Sequence, residues 1–429
     1  MVFAMDRSRN AAQSRLVLPR FGYESTYQSV CQNDRMTPEV RDRVLEVDAA
    51  TNRHLQTHRR GLHAMPELGF KENETAEYLL GRLDPLSFDR LQPGIAGTGI
   101  VADLKGGLPG RAVMVRADMD GLPITEAGDL PFRSTRPGVM HACGHDVHMA
   151  VALEVARALA ENREQLPGMV RFVFQPAEEI AGGAKPMIDA GVLDGIDRVV
   201  GLHVWAGLQT GQVSVRSGAM MASADWFTLI VRGKGGHGAM PDLTVDAVVI
   251  ASQIVTALQT LVSRETSPQA PVVVTLGSIH GGSAFNIIAG EVVIQGTLRS
   301  FDAKLRERLL KRIAELAAGI ASAMRGSCEF RLESAAPPVV NDETVAGLVA
   351  EAARGVLGTD AVVPFEPLMV GEDVAYFLDE RPGCFFLLGG APDTGPVLHH
   401  TAEFRVDERC LLIGYRVMSA AVLRLLQPD

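Results

Sequence analysis

Apolar positions along this chain follow two periods, and the places where one gives way to the other divide it into elements. Thr37-Pro38 opens the first helical stretch, as an N-cap followed by proline at the first helical position. One helix is expected from there through Leu45, Leu55 and Leu62, stopping before Pro66. Asn73 then caps a short helix through Leu80. From Gly99 the period becomes that of strands, and Ile100–Leu104 and Ala112–Ala117 read as a hairpin around a glycine-rich turn. A helix over Val147–Leu159 follows, then strand Val170–Phe174, a helix around Ala184–Ala190 and strand Val199–Val204. Such alternation predicts a mixed α/β sheet with helices on both faces.

The order changes between about Ala224 and Ala335. Strand Phe227–Val231, helix Val245–Ser263, strands Val272–Ile279 and Val292–Leu298, helix Ala303–Ala323 and strand Cys328–Leu332 spell β-α-β-β-α-β, a compact two-layer α+β unit. After it the α/β character returns, with a helix near Val345–Val356, Gly371-Glu372-Asp373 and strand Cys384–Leu388. The expected organisation is a polar, poorly ordered extension over residues 1–36, a catalytic domain from 37–223 and 336–429, and a second domain, 224–335, inserted into it.

Composition narrows the function. A net charge of −10 and the lack of a basic stripe argue against nucleic acid as a partner. The longest apolar stretch, Val245–Val262, is interrupted by Asp246, Ser252, Gln253 and Gln259, so no membrane span is expected. The N-terminus lacks the apolar core of a signal peptide, and the five cysteines are odd in number and scattered, which points to a reducing, cytoplasmic compartment.

The chemistry gathers in Met140–His148, M-H-A-C-G-H-D-V-H. Residues two apart in an extended segment share a face, so Cys143 and His145 project together, and thiolate and imidazole suit a borderline-soft divalent metal. Glu178-Glu179 follows a strand end and a proline, where both carboxylates can reach one cavity. One can bind metal while the other takes a proton from water; alone, the pair would suit a solvated surface slightly better. His203, at the end of an apolar strand, reads by itself as a core histidine. His399-His400 fits a solvated loop pair. Asp118 and Asp120 share a face and fit metal ligands, carboxylates that orient histidines, or turn caps.

Taken in order, Ala117-Asp118-Met119-Asp120-Gly121-Leu122-Pro123-Ile124, His141-Ala142-Cys143-Gly144-His145-Asp146, Gln175-Pro176-Ala177-Glu178-Glu179, Gly201-Leu202-His203-Val204-Trp205 and Gly233-Lys234-Gly235-Gly236-His237-Gly238-Ala239 make a specific set. From about residue 37 to the C-terminus the chain resembles the dinuclear metalloamidohydrolases that include hippurate hydrolase, bacterial aminoacylases and plant indoleacetyl-amino-acid hydrolases. The resemblance implies a mixed-sheet metallohydrolase domain carrying the inserted domain as a lid, often a dimerisation surface. It implies metal ligands Cys143, His145, Glu179, His203 and a C-terminal histidine. His400 is chosen because Thr401-Ala402-Glu403-Phe404 follows it, with His399 the alternative, since Ala402 stands where relatives carry proline. Glu178 becomes the general base and acid, and Asp120 the aspartate that orients a ligand. His237, Asn286 and Arg299 become substrate-contacting residues, and because the inserted domain of relatives often dimerises, the resemblance allows His237 to serve a neighbouring subunit's site. Two divalent ions are implied, zinc or manganese first, with cobalt or nickel also used by relatives. The implied reaction is hydrolysis of an N-acyl amino acid to a carboxylic acid and an amino acid. A dipeptidase or carboxypeptidase of the same family is the nearest alternative, and a non-catalytic metal-binding protein on this fold a more distant one.

Overall fold

The computed structural model describes residues 37–428; the extension expected over residues 1–36 lies outside them. The larger sheet is built from β1 (Arg90–Ile95), β2 (Gly99–Lys105), β3 (Leu108–Asp118), β4 (Pro167–Gln175), β5 (Arg198–Gln209), β6 (Val213–Ser214) and β15 (Gly383–Ala391). Its strand order is β1-β2-β4-β3-β5-β15-β6. The central strands β4, β3, β5 and β15 run parallel to one another, whereas β1, β2 and β6 pair antiparallel. One face carries α1 (Pro38–Leu45), α2 (Ala49–His63), α3 (Asn73–Leu83), α4 (His145–Glu161), α8 (Glu343–Leu357) and α10 (Arg409–Leu425), in one continuous core with Val115, Phe172 and Phe386. The other face is covered by α5 (Ala184–Asp189) and α9 (Ala375–Glu380), through Met187 and Phe377.

Three local expectations are corrected. Ile100–Leu104 and Ala112–Ala117 do not form a hairpin: β4 lies between β2 and β3, antiparallel to one and parallel to the other. Val170, Phe172, Val173 and Phe174 are all buried, and a strand apolar on both faces is stable only inside a covered sheet. Helix α4 provides the crossover that brings it there. The single helix expected before Pro66 is two. The chain is extended at Glu46, and Asp48 caps α2 by accepting a hydrogen bond from Thr51 N at 2.7 Å. A short acidic side chain competes for backbone donors, so it starts a helix better than it continues one. Asn73 likewise opens α3 as its first residue, with Glu72 in the cap position, and α3 reaches Leu83.

A second, four-stranded antiparallel sheet contains β8 (Ala224–Arg232), β10 (Val272–Gly281), β12 (Glu291–Ser300) and β13 (Ser327–Ala336), ordered β10-β12-β8-β13. Helices α6 (Ala247–Ser263) and α7 (Ala303–Ala323) pack on it around Phe227, Leu229, Ile254, Leu258, Ile294 and Ile313. This is the two-layer arrangement the strand–helix order predicts. Asp246 and Asp302 cap the two helices through Val248 N and Leu305 N. Two small ribbons complete the set. β7 (Gly218–Met221) pairs with β14 (Val339–Asn341), and β9 (Gly236–His237) with β11 (Ile287–Ile288).

Candidate metal centre

The carboxyl ends of β3, β4 and β5 and the start of α4 meet at one buried pocket, the position where open α/β sheets bind ligands. β3 ends at Asp118, and Asp120 lies just beyond; β4 ends at Gln175, before the loop with Glu178 and Glu179; β5 carries His203. Cys143 precedes α4 and His145 is its first residue. Gly144 between them has φ +99°, and a Cβ there would stand 2.3 Å from Val204 Cγ1, so only glycine lets the two side chains converge.

The structure brings together Cys143, His145, Glu178, Glu179, His203 and His400. Cys143 Sγ lies 3.4 Å from His203 Nε2. His145 Nε2 lies 3.5 Å from Asp118 Oδ2 and 3.8 Å from both Glu178 Oε2 and Glu179 Oε1. His400 Nε2 lies 3.4 Å from Glu179 Oε2. Donor atoms of Cys143, His145 and His203, and likewise of Cys143, Glu179 and His400, fall within 4.8 Å of one another. His399 points elsewhere: it stacks on Trp205 with centroids 4.4 Å apart, and its Nε2 accepts from Ala206 N. The left-handed backbone of His400, φ +59°, turns the second histidine of the pair toward the pocket.

Two of the clustered rings are aimed by a neighbour. His145 Nδ1 bonds to the Asp120 carbonyl at 2.8 Å, and His203 Nδ1 to the Val204 carbonyl at 2.7 Å, leaving Nε2 of each to face the pocket. The Asp120 carboxylate accepts from Glu178 N at 3.1 Å and Glu179 N at 3.0 Å. His148 is spent on structure, with Nδ1 on Asp118 and Nε2 accepting from Val204 N.

The electrostatics call for cations. The carboxylates of Asp118, Asp120, Glu178, Glu179, Glu372 and Asp373 crowd the region around the buried guanidinium of Arg116. Burial pushes the Glu178 carboxyl well above its ordinary range, and the charges of Glu372 and Glu179 push it further. Burial lifts Glu179 to about 8 against the pull of His145. For His145 burial opposes the charged ring, but Asp118 and the contact with Asp120 overcome it and raise the group to about 10. Burial, followed by the carboxylates, raises the Cys143 thiol well above its usual value. His145 Nε2 and Glu179 Oε1 are buried with no hydrogen-bond partner. Orphaned donors of this kind, with a thiol and a surplus of negative charge, fit divalent metal ions.

His237, Asn286 and Arg299 are not part of this cluster. The exposed His237 accepts from Ala239 N and lies on β9, and Gly238 N donates to the carbonyl of Asn286, which immediately precedes β11, so the two lie at the β9–β11 ribbon beside the four-stranded sheet. Arg299, on β12, donates to the Ser223 carbonyl at 3.4 Å. Sequence reasoning gave no role to Arg116, Glu372 or Asp373. Arg116 donates to Gln175, Asp118, Glu372 and Asp373. One signal was available: a charged residue inside the otherwise apolar run Ala112–Ala117.

A mixed sheet, a two-layer second unit and a buried thiol–imidazole–carboxylate pocket define a metal-dependent hydrolase. The chain belongs to the peptidase family M20/M25/M40, whose model matches residues 114–424. It is 39% identical over 371 residues to the N-acetyl-L-cysteine deacetylase of Bacillus subtilis (strain 168), covering 86% of this chain and 88% of the relative. Identity with the N-acyl-L-amino acid amidohydrolase of Geobacillus stearothermophilus is 45% over 285 residues, 66% of this chain and 76% of the relative. The fold matches the crystal structure of Bacillus subtilis YXEP, a dinuclear metal binding peptidase from the M20 family. The TM-score is 0.77 at 34% identity, over 88% of this chain and 99% of that one.

Proposed function

We propose that this chain hydrolyses the amide bond of N-acyl amino acids, such as N-acetyl or N-benzoyl amino acids, to a carboxylic acid and a free amino acid. The observation that carries the reading is the pocket in which Glu178 stands beside Cys143, His145, Glu179, His203 and His400. Those five side chains would hold two divalent ions, zinc being favoured by the thiolate and manganese by the carboxylate and imidazoles. Bound there, the ions would supply Lewis-acid polarisation of the amide carbonyl and would lower the pKa of a water molecule. Glu178 accepts the proton of the attacking water and returns it to the leaving nitrogen. Asp120 fixes the backbone from which Glu178 reaches the bond. The names of the amidohydrolase and deacetylase relatives support the substrate class.

Residues 224–335 act as an inserted lid that pairs with its counterpart in a homodimer. The support is a set of exposed apolar side chains on and beside the β9–β11 ribbon: Phe285, fully exposed, with Met240, Leu243, Ile279 and Ile287. In the dimer His237 serves the partner's site as a donor to the developing oxyanion, and Arg299 and Asn286 receive the substrate carboxylate. The four cysteines among the described residues are free, and no helix there is long and apolar enough to cross a membrane; a reducing cytoplasm suits both. The test is a screen of N-acetyl-, N-benzoyl- and indoleacetyl-amino acids beside dipeptides, with and without a chelator. Metal-dependent release of the amino acid from the acyl series is expected. Turnover confined to dipeptides would move the assignment to a peptidase, and no metal-dependent hydrolysis of either would overturn it.

A further inference from the structure

Glu178 and Glu179 sit on a loop with little regular structure of its own. It contains one turn of 3-10 helix, Glu178–Ile180, between Ala177 at φ +55° and Ala181 at φ +49°. Two non-glycine residues in the left-handed region are strained, so the loop keeps this shape only because its surroundings impose it. Carboxylates impose it. Glu72 accepts from Ala177 N at 2.8 Å, and Asp120 holds the next two N–H groups.

Asp373 closes the two ends. Its Oδ1 accepts from Gln175 Nε2 at 2.7 Å, at the last residue of β4, and its Oδ2 accepts from Ala184 N at 3.1 Å, at the first residue of α5. Arg116 Nη2 donates to Oδ1 at 3.0 Å. The ends are in contact: a Cβ on Gly183 would stand 1.6 Å from the Pro176 carbonyl oxygen. Beside it, Glu372 is held by two prongs of Arg116 and has a carboxylate oxygen within 4.8 Å of both Glu178 and Asp373.

The same short segment touches both connections to the four-stranded sheet. On the entering side Leu368 N donates to the Met220 carbonyl and Ala222 N to the Leu368 carbonyl, both at 2.9 Å, just before β8. On the leaving side Tyr376 Oη donates to the Ala335 carbonyl at 2.5 Å, at the end of β13. One residue earlier on β13, Ser334 Oγ donates to the Ile180 carbonyl of the loop itself at 3.2 Å. The smaller layer cannot shift over the larger sheet without straining bonds made by residues 368–376, and those residues grip the loop that carries Glu178.

We propose that residues 368–376 are a clasp that couples the position of the small layer to the geometry of the Glu178–Glu179 loop, with Asp373 as its positioning residue and Tyr376 as its arm on the exit strand. The inference rests on the reading of Glu178 as the base, but one part of its test does not. Asp373→Asn keeps the volume and loses one of the two acceptor oxygens. Tyr376→Phe removes a single hydroxyl that does not touch the loop. Both variants are made in the full, metal-loaded chain. Elemental analysis gives metal content, thermal unfolding gives stability, steady-state kinetics gives kcat and KM, and hydrogen exchange is followed for peptides spanning 175–184.

Asp373→Asn is expected to lower kcat about 10- to 100-fold, the scale for a misplaced catalytic group, with KM within about twofold and metal content unchanged. Tyr376→Phe should lower kcat roughly 3- to 10-fold. Both should speed amide exchange at 177–184, about tenfold for Asp373→Asn. Unchanged kcat per metal-loaded molecule in Asp373→Asn, with only stability or metal content reduced, reduces Asp373 to a structural role and overturns the proposal. Unchanged exchange at 177–184 in Tyr376→Phe overturns the coupling. The exchange result stands whatever substrate the wild-type chain cleaves, so failure of the clasp and failure of the assigned reaction are separate outcomes. Should Asp373→Asn fail to fold, Tyr376→Phe still decides the coupling.

Discussion

Arg116 and Glu372, 256 residues apart in the chain, form a buried two-pronged ion pair, Nη2 to Oε1 at 2.9 Å and Nη1 to Oε2 at 3.2 Å. Arg116 lies on β3, before the second sheet in sequence, and Glu372 lies after it. Because Arg116 also donates to Asp118 and Asp373, its loss leaves several buried carboxylates without their guanidinium. Arg116→Met is therefore expected to destabilise the protein by about 3–5 kcal/mol, the usual cost of breaking a buried pair from one side. Urea unfolding of both proteins measures it; a loss below about 1 kcal/mol, the range of exposed pairs, would contradict the network.

Glu178→Gln preserves shape and the backbone bonds to Asp120, which involve only Glu178 N and Glu179 N. Metal content and unfolding temperature should match wild type, while kcat falls by about 10²–10⁴. Near-normal turnover in a metal-replete sample would remove Glu178 from the reaction.

The neighbouring histidines should separate cleanly. His400→Ala removes a donor 3.4 Å from Glu179 and is expected to lower metal content in elemental analysis. His399→Ala leaves the Ala206 N–H without its acceptor and should cost about 1–3 kcal/mol of stability with metal content retained. The reverse pattern would exchange their roles.

His63 provides a pH dependence of its own. Its ring is buried between Asp146, 2.9 Å from Nδ1, and Glu126, 3.2 Å from Nε2. Burial alone would lower its pKa, but the charge of Asp146 and the bonds to both carboxylates raise it to about 9. A raised histidine stabilises the fold fully below its unfolded value, about 6.5, and the contribution is lost as pH rises through about 9. The stability difference between wild type and His63→Gln should therefore be largest near pH 6 and shrink steadily by pH 10. A difference that stays flat across that range would show that the ring is not charged in the folded protein.

His237, on β9, and Asn286, just before β11, lie at an exposed ribbon outside the buried cluster. If a second subunit brings them to its site, His237→Ala should lower kcat by about 10²–10³, as for loss of one oxyanion donor, with metal retained. Mixing it with Glu178→Gln should then restore activity, because one site in the heterodimer has both residues intact. No recovery after demonstrated subunit exchange confines His237 to its own chain.

By itself the sequence determined the element types, the split into an α/β part and a two-layer α+β part, and the Cys143–His145 and Glu178–Glu179 motifs. Periodicity is local, and so is the spacing that sets Cys143 and His145 side by side. What lay beyond it was pairing between distant segments. That β4 enters between β2 and β3 depends on which strand can be covered on both faces, a property of the assembled sheet. That His400 and not His399 faces Glu179 depends on one left-handed residue and on Trp205, which holds the other ring. Arg116, Glu372 and Asp373 have no motif spacing, because they meet only when β3 and the segment after the second sheet are brought side by side. A buried charge is tolerable only with its partner present, and the fold alone decides which partner that is.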